Sequence, residues 1–160
     1  MEKSKILVVY YSRGGNTRAT GNEIAKKLDA EIEEIKDYSN RKGLIGFLKC
    51  GSESFRGKKP AIHPIEKNPG EYDIVLIGTP TWAGRMASPV LTYIDNNRMH
   101  FAKAAFWCNA ASANNQKVID QLENKSEKKA IASMILTDKL EPGEKEKKID
   151  KFINEIKTNL

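Results

Sequence analysis

Lys5 to Tyr11 reads KILVVYY, an unbroken β-branched and aromatic run that stops at Ser12-Arg13-Gly14-Gly15. A strand that is apolar on both faces must be covered on both, as a central strand of a parallel sheet is. Tyr72 to Gly78, YDIVLIG, repeats the pattern and stops at Thr-Pro-Thr-Trp-Ala-Gly. Parallel strands are joined by crossovers, usually helical and right-handed, so the intervening stretches should show helical periodicity. Ala19, Ile24, Ala25 and Leu28 mark one face of a helix beginning at Asn16 or Thr17, and Val90, Leu91 and Ile94 mark another over Ala87 to Asn96. Lys117 to Leu122 begins a third, and Glu144 to Leu160 closes the chain with Ile149, Phe152, Ile153, Ile156 and Leu160 in register. Glu31–Ile35, Phe101–Cys108 and Ala130–Leu136 are weaker strand patterns, and Asp37 to Pro69 is the least regular part. Five strands alternating with helices predict an α/β domain: a parallel sheet, doubly wound, covered by helices in three layers.

A chain of 160 residues, 39% apolar, suits one domain over residues 1–160. No apolar run approaches the roughly 20 residues of a membrane span, and no leader pattern precedes the first strand, so the expectation is a cytoplasmic protein with no membrane partner. Cys50 and Cys108 match neither a zinc pair nor a redox C-x-x-C and are read as reduced thiols. The net charge of +6 favours acidic partners.

In such sheets ligands sit beyond the carboxyl ends of the strands, where strand order reverses, so the residues just after each strand are the candidates. The first loop is Ser12-Arg13-Gly14-Gly15-Asn16-Thr17. Two glycines let the backbone turn its amides inward, the polar side chains can hydrogen-bond an anion, and a helix N-terminus adds partial positive charge. The loop lacks the lysine of a nucleoside-triphosphate loop and the G-x-G-x-x-G spacing of a dinucleotide fold, so a monophosphate fits it better than a pyrophosphate. An ordinary βα turn with a capped helix is the alternative. The second loop is Thr79-Pro80-Thr81-Trp82-Ala83-Gly84, where an indole follows a buried strand and is either a ligand wall or an ordinary core or surface aromatic. The third, Asn109-Ala110-Ala111 continuing to Asn115, has no aromatic residue and suits either a ligand edge held by backbone amides or a solvated turn.

The first two loops, in this order of elements, resemble the flavodoxin family, whose phosphate loop follows strand one with a [ST]-x-T-G-x-T pattern. Gly14 stands where the middle threonine would be, so backbone amides must do more here. The resemblance spans essentially the whole chain. It implies strand order 2-1-3-4-5 and non-covalent flavin mononucleotide (FMN): phosphate on residues 12–17, isoalloxazine against Trp82, the peptide at Gly84 facing flavin N5, and the pyrimidine edge at Asn109–Ala111. The family also often sets a second aromatic side chain on the other ring face. Trp107 or a residue of the irregular segment could fill that place, or the face stays open. The activity implied is an electron carrier serving redox partner proteins, which the chain's positive charge leads us to expect to be acidic at the docking face. The alternative is an FMN-dependent NAD(P)H:quinone-type oxidoreductase. The three loops hold Arg13 and Arg85 beside them and no carboxylate, which predicts a site that relieves the charge of reduced flavin.

Arg41, Lys42, Lys49, Arg56, Lys58 and Lys59 crowd one stretch with Phe47 and Phe55. Its plainest reading is a solvated helix with Leu44, Ile45, Phe47 and Leu48 packed inward. The others are a docking surface, a flavin cover, or a nucleic-acid contact, which no accompanying nucleic-acid module supports. Cys50 to Arg56 matches the C-x5-R spacing of cysteine phosphatases, but Glu53 within it opposes a thiolate and no buried strand precedes it. Tyr10-Tyr11-Ser12 lacks the acids of a phosphoacceptor domain, and His63 and His100 are expected at the surface.

Overall fold

A computed structural model describes residues 2–112 and 115–160. In chain order the elements are β1 (Ile6–Tyr10), α1 (Asn16–Leu28), β2 (Glu31–Glu34), α2 (Gly43–Phe55), β3 (Ile74–Trp82), β4 (Arg85–Met86), α3 (Ser88–Asn97), β5 (Ala104–Ala110), α4 (Gln116–Ser126), β6 (Ala130–Thr137) and α5 (Glu144–Asn159). Five strands run parallel in the order β2-β1-β3-β5-β6, which is 2-1-3-4-5 once the short antiparallel β4 is set aside. No helix among the described residues is long and apolar enough to cross a membrane.

Alternation along each strand divides the core in two. Leu7, Val9, Val75, Ile77 and Phe106 face α2, α3 and α4, while Val8, Tyr10, Leu76 and Trp107 face α1 and α5. The chain leaves β1 toward β2 on one side and β3 on the other, so the crevice at the switch point lies between the ends of β1 and β3.

β3 runs four residues past Gly78, where the sequence reading placed its end, and it carries Pro80 inside the strand. Pairing with β1 stops at Tyr10↔Gly78, whereas pairing with β5 continues to Pro80↔Asn109. On the side that β1 has vacated, the missing proline N–H breaks no ladder. Ala83 and Gly84, both at positive φ (50° and 71°), then form a two-residue hairpin turn into β4, with Trp82 opposite Arg85.

The irregular segment contains α2, and the helix faces the other way from its expected packing. Leu44, Ile45, Phe47 and Leu48 point outward, between 60% and 84% exposed, while Gly46, Cys50 and Ser54 are buried. A Cβ at Gly46 would lie 2.2 Å from the Arg41 carbonyl carbon, so only a glycine lets the helix sit this close. Small residues line the inner face because the space beneath it is taken by Arg41 and its partners.

Candidate functional site

The loop after β1 is shaped by its own side chains. Gly15 adopts φ 103°, a left-handed value a β-carbon disfavours, and its N–H donates to Ser12 Oγ at 3.0 Å. α1 starts with no acidic residue in its first turn, and its leading amides have no intrahelical acceptor. Arg13 folds back across the loop: Nε donates to the Arg41 carbonyl at 2.8 Å and Nη2 to the Gly43 carbonyl at 3.1 Å. Its guanidinium also lies 5.8 Å from the centre of the Phe47 ring, which joins α2 to the loop.

A cleft of about 270 Å³ opens at the carboxyl ends of β1, β3 and β5. Ser12, Arg13, Gly14, Asn16 and Thr17 line one end, Pro80, Thr81 and Trp82 one wall, and Asn109, Ala110 and Ala111 another. The remaining predicted residues, Gly15, Thr79, Ala83 and Gly84, are not in its lining. Thr79 Oγ1 accepts from the Ala87 N–H at 2.9 Å and donates to the Pro80 carbonyl at 2.8 Å, Gly15 sets the loop turn, and Ala83 and Gly84 form the hairpin tip. Ala113 and Asn114 of the third loop lie outside the described residues. Asn109 and Ala110 belong to β5 rather than to the loop, and Asn109 Nδ2 donates to Thr20 Oγ1 of α1 at 3.3 Å.

Two side chains lining the cleft came from elsewhere in the sequence. Phe47 reaches it from α2, within the irregular segment. Trp107 does not: it is fully buried on the α1–α5 face, pressed so close to Gly78 that a Cβ there would meet its ring at 2.0 Å. Asp138 is the second addition, held after β6 by its N–H donating to the Ala110 carbonyl at 3.1 Å. It corrects the expectation of a site without carboxylates. Arg85 moves in the opposite direction, leaving the cleft to stack 5.5 Å from the centre of the Phe55 ring.

Trp82 is held on two sides. Tyr11 meets it edge-on, centroids 5.4 Å apart at 87°, and the Arg41 guanidinium carbon lies 5.1 Å from its ring centre. Arg41 is buried and donates to Asp37 Oδ2 and Glu53 Oε2, both at 2.7 Å, while Ser88 Oγ donates to the same Glu53 oxygen at 3.0 Å. Burial opposes ionisation of Glu53, but its bonds to Arg41 and Ser88 outweigh that and hold the carboxyl below its ordinary value. Burial pushes the Tyr11 hydroxyl well up, reinforced by Asp37.

The C-x5-R spacing has no phosphate loop behind it. Cys50 lies within α2, 1% exposed, and burial raises its thiol above the ordinary value. Cys108 is likewise raised by burial, to about 11, despite Thr81 beside it. His63 and His100 are exposed, His63 stacked on Tyr38 at 4.1 Å.

Thr81 Oγ1 and Asn109 Oδ1 are buried behind the cleft surface, with Thr81 set against the Cys108 thiol and Asn109 tied to α1 through Thr20. A larger depression of about 540 Å³ along α5 has no aromatic lining and lies away from the strand ends. Free helix-start amides at one end and an indole and a phenyl ring along the walls suit a flat heterocycle carrying a phosphate.

The sequence profile of the flavodoxin family matches residues 5–156. The chain belongs to the flavodoxin family. Solved structures agree in fold. A flavoprotein from Lactobacillus acidophilus NCFM, crystallised in complex with FMN, shares 22% identity at a TM-score of 0.73, covering 93% of this chain and 98% of that one. Oxidised flavodoxin 1 from Bacillus cereus shares 21% identity at 0.59, covering 98% and 99%. The flavodoxin of Streptococcus pneumonia TIGR4 shares 14% at 0.64, covering 98% and 100%. Flavodoxin membership thus rests on the profile, and these structures supply the fold.

Proposed function

We propose that this flavodoxin-family chain binds FMN in the cleft and acts in the cytoplasm as an electron carrier between redox proteins. The observation that carries the reading is the meeting, in one cleft at the strand ends, of an anion cradle on residues 12–17 with the aromatic side chains of Trp82 and Phe47. When bound, FMN supplies reversible one- and two-electron chemistry at its ring system. The chain's own contribution is to hold it: Ser12, Asn16, Thr17 and the first amides of α1 take the phosphate. Phe47 offers an exposed aromatic face to the ring, and Trp82, 8% exposed and backed by Arg41, the part of its indole that lines the wall. Thr81, Asn109 and the backbone at Ala110 and Ala111 line the cleft where the ring's polar edge would lie. The resemblance to a flavoprotein crystallised with FMN supports the same assignment.

The docking face in this reading is the outward side of α2. Leu44, Ile45 and Leu48 form an exposed apolar strip that reaches Phe47 at the cleft, and Lys42 and Lys49 flank it. An apolar centre with a cationic rim fits a partner that is acidic around its own apolar spot. Purified protein is expected to be yellow, to release FMN on denaturation, and to oxidise NADPH with a quinone no faster than free FMN. Rapid turnover of that pair would instead establish the oxidoreductase. Release of FAD, or no flavin uptake at all, would end both.

A further inference from the structure

A second cavity, of about 260 Å³, lies between the end of α2, β4, α3 and α4, and shares no residue with the cleft. Arg56, Lys59, Arg85 and Lys125 line it, and no Asp or Glu does. Lys59 is already paired with Asp95 at 3.0 Å, but Arg56, Arg85 and Lys125 have no carboxylate partner among the described residues. A concavity lined by one sign of charge focuses the field and raises the local concentration of anions. Ser54, itself 5% exposed, also lines the cavity, and its hydroxyl is buried without a hydrogen-bond partner.

The rest of the lining says what kind of anion. Met86 and Leu91 give an apolar floor, and the Phe55 ring, 67% exposed, stands at the wall with Arg85 stacked over it. Inorganic phosphate makes no use of such a surface, whereas a heterocyclic base does, by stacking on the phenyl and guanidinium planes. We infer that this cavity binds a nucleoside phosphate, with the phosphoryl group among Arg56, Arg85 and Lys125 and the base along Phe55. The site stands on its own residues and does not depend on the flavin reading. The two are nonetheless neighbours, because Arg85 is the strand partner of Trp82 across the β3–β4 turn.

Calorimetric titration of the full-length chain, with and without added FMN, tests this using adenosine 5′-monophosphate, adenosine and inorganic phosphate. The expected result is one saturable site for the nucleotide, at least tenfold tighter than for adenosine or phosphate alone. Arg85→Gln and Lys125→Gln should each weaken it fivefold or more while leaving the flavin absorbance spectrum unchanged. Should Arg85→Gln disturb the hairpin, Arg56→Gln and Lys125→Gln on exposed side chains give the same reading. No saturable binding, equal affinity for phosphate and nucleotide, indifference to the substitutions, or release of FMN by the nucleotide would each overturn the inference. A chain that takes no flavin yet binds the nucleotide through Lys125 would refute the carrier reading and leave this one standing.

Discussion

Arg41 and Trp82 are stacked, guanidinium carbon to ring centre 5.1 Å, and the same guanidinium is fastened to Asp37 and Glu53 at 2.7 Å. The indole that lines the cleft is therefore backed by a buried ion network reaching under α2. A planar cation, held in place by two carboxylates, gives the ring a fixed support that a flexible lysine could not.

Removing Arg41 leaves the Asp37 side chain buried without its cation and Glu53 with only Lys49, 3.9 Å away. Arg41→Met is expected to cost about 3–5 kcal/mol of unfolding free energy, the usual price of stranding buried charge. Arg41→Lys should fall between, keeping the charge but losing the fork and the stack. Urea unfolding followed by circular dichroism checks both.

Glu53 makes the network sensitive to acid. Its folded-state carboxyl is held below the ordinary value of 4.5, so the unfolded chain binds the proton more readily. The stability it contributes is therefore fully present above about pH 4.5 and is lost as pH falls through the lower folded-state value. Denaturant midpoints measured between pH 7 and pH 3 should fall below that point, and Glu53→Gln should flatten this part of the profile while lowering stability at neutral pH.

Phe47 lines the cleft yet is 60% exposed, so its ring can be removed at little structural cost. Phe47→Ala is expected to change stability by no more than about 0.5 kcal/mol. FMN affinity should fall roughly three- to tenfold, the range of one aromatic contact. Fluorescence quenching of FMN by the apoprotein measures the affinity.

Asp138 shares the cleft with Asn16 and Ser12 of the phosphate end. Asp138 is exposed, so it repels a phosphate held there only as a solvated charge does, and Asp138→Asn should tighten FMN by roughly two- to fivefold at low salt. The gain should shrink as ionic strength rises. A tightening that ignores salt would point to a packing effect instead.

Much of this was legible in the sequence. KILVVYY and YDIVLIG could only be central strands, and the rule that ligands gather at strand ends pointed to residues 12–17, 79–84 and 109–111. What escaped were features set by tertiary neighbours. Nothing local to Pro80 says that β1 ends at Tyr10, which is what allows β3 to continue. The α2 sequence has large apolar residues on one face and small ones on the other, and burial of the large face was the natural reading. Which face turns inward depends on Arg41, a single charged residue that sits inside the fold with two carboxylates. Phe47 and Asp138 come to the cleft from α2 and from the segment after β6. Extending the strand-end rule to the last strand would have found Asp138.

The most direct measurement compares FMN with riboflavin on the apoprotein. The cradle at the start of α1 acts only on the phosphate, and a few charge-assisted hydrogen bonds correspond to roughly a hundredfold in affinity. One equivalent of FMN is expected to bind, with riboflavin weaker by about that factor and Gly15→Ala narrowing the difference. Equal affinity for the two flavins, or no binding of either, would contradict the assignment of residues 12–17 and of the cleft they open.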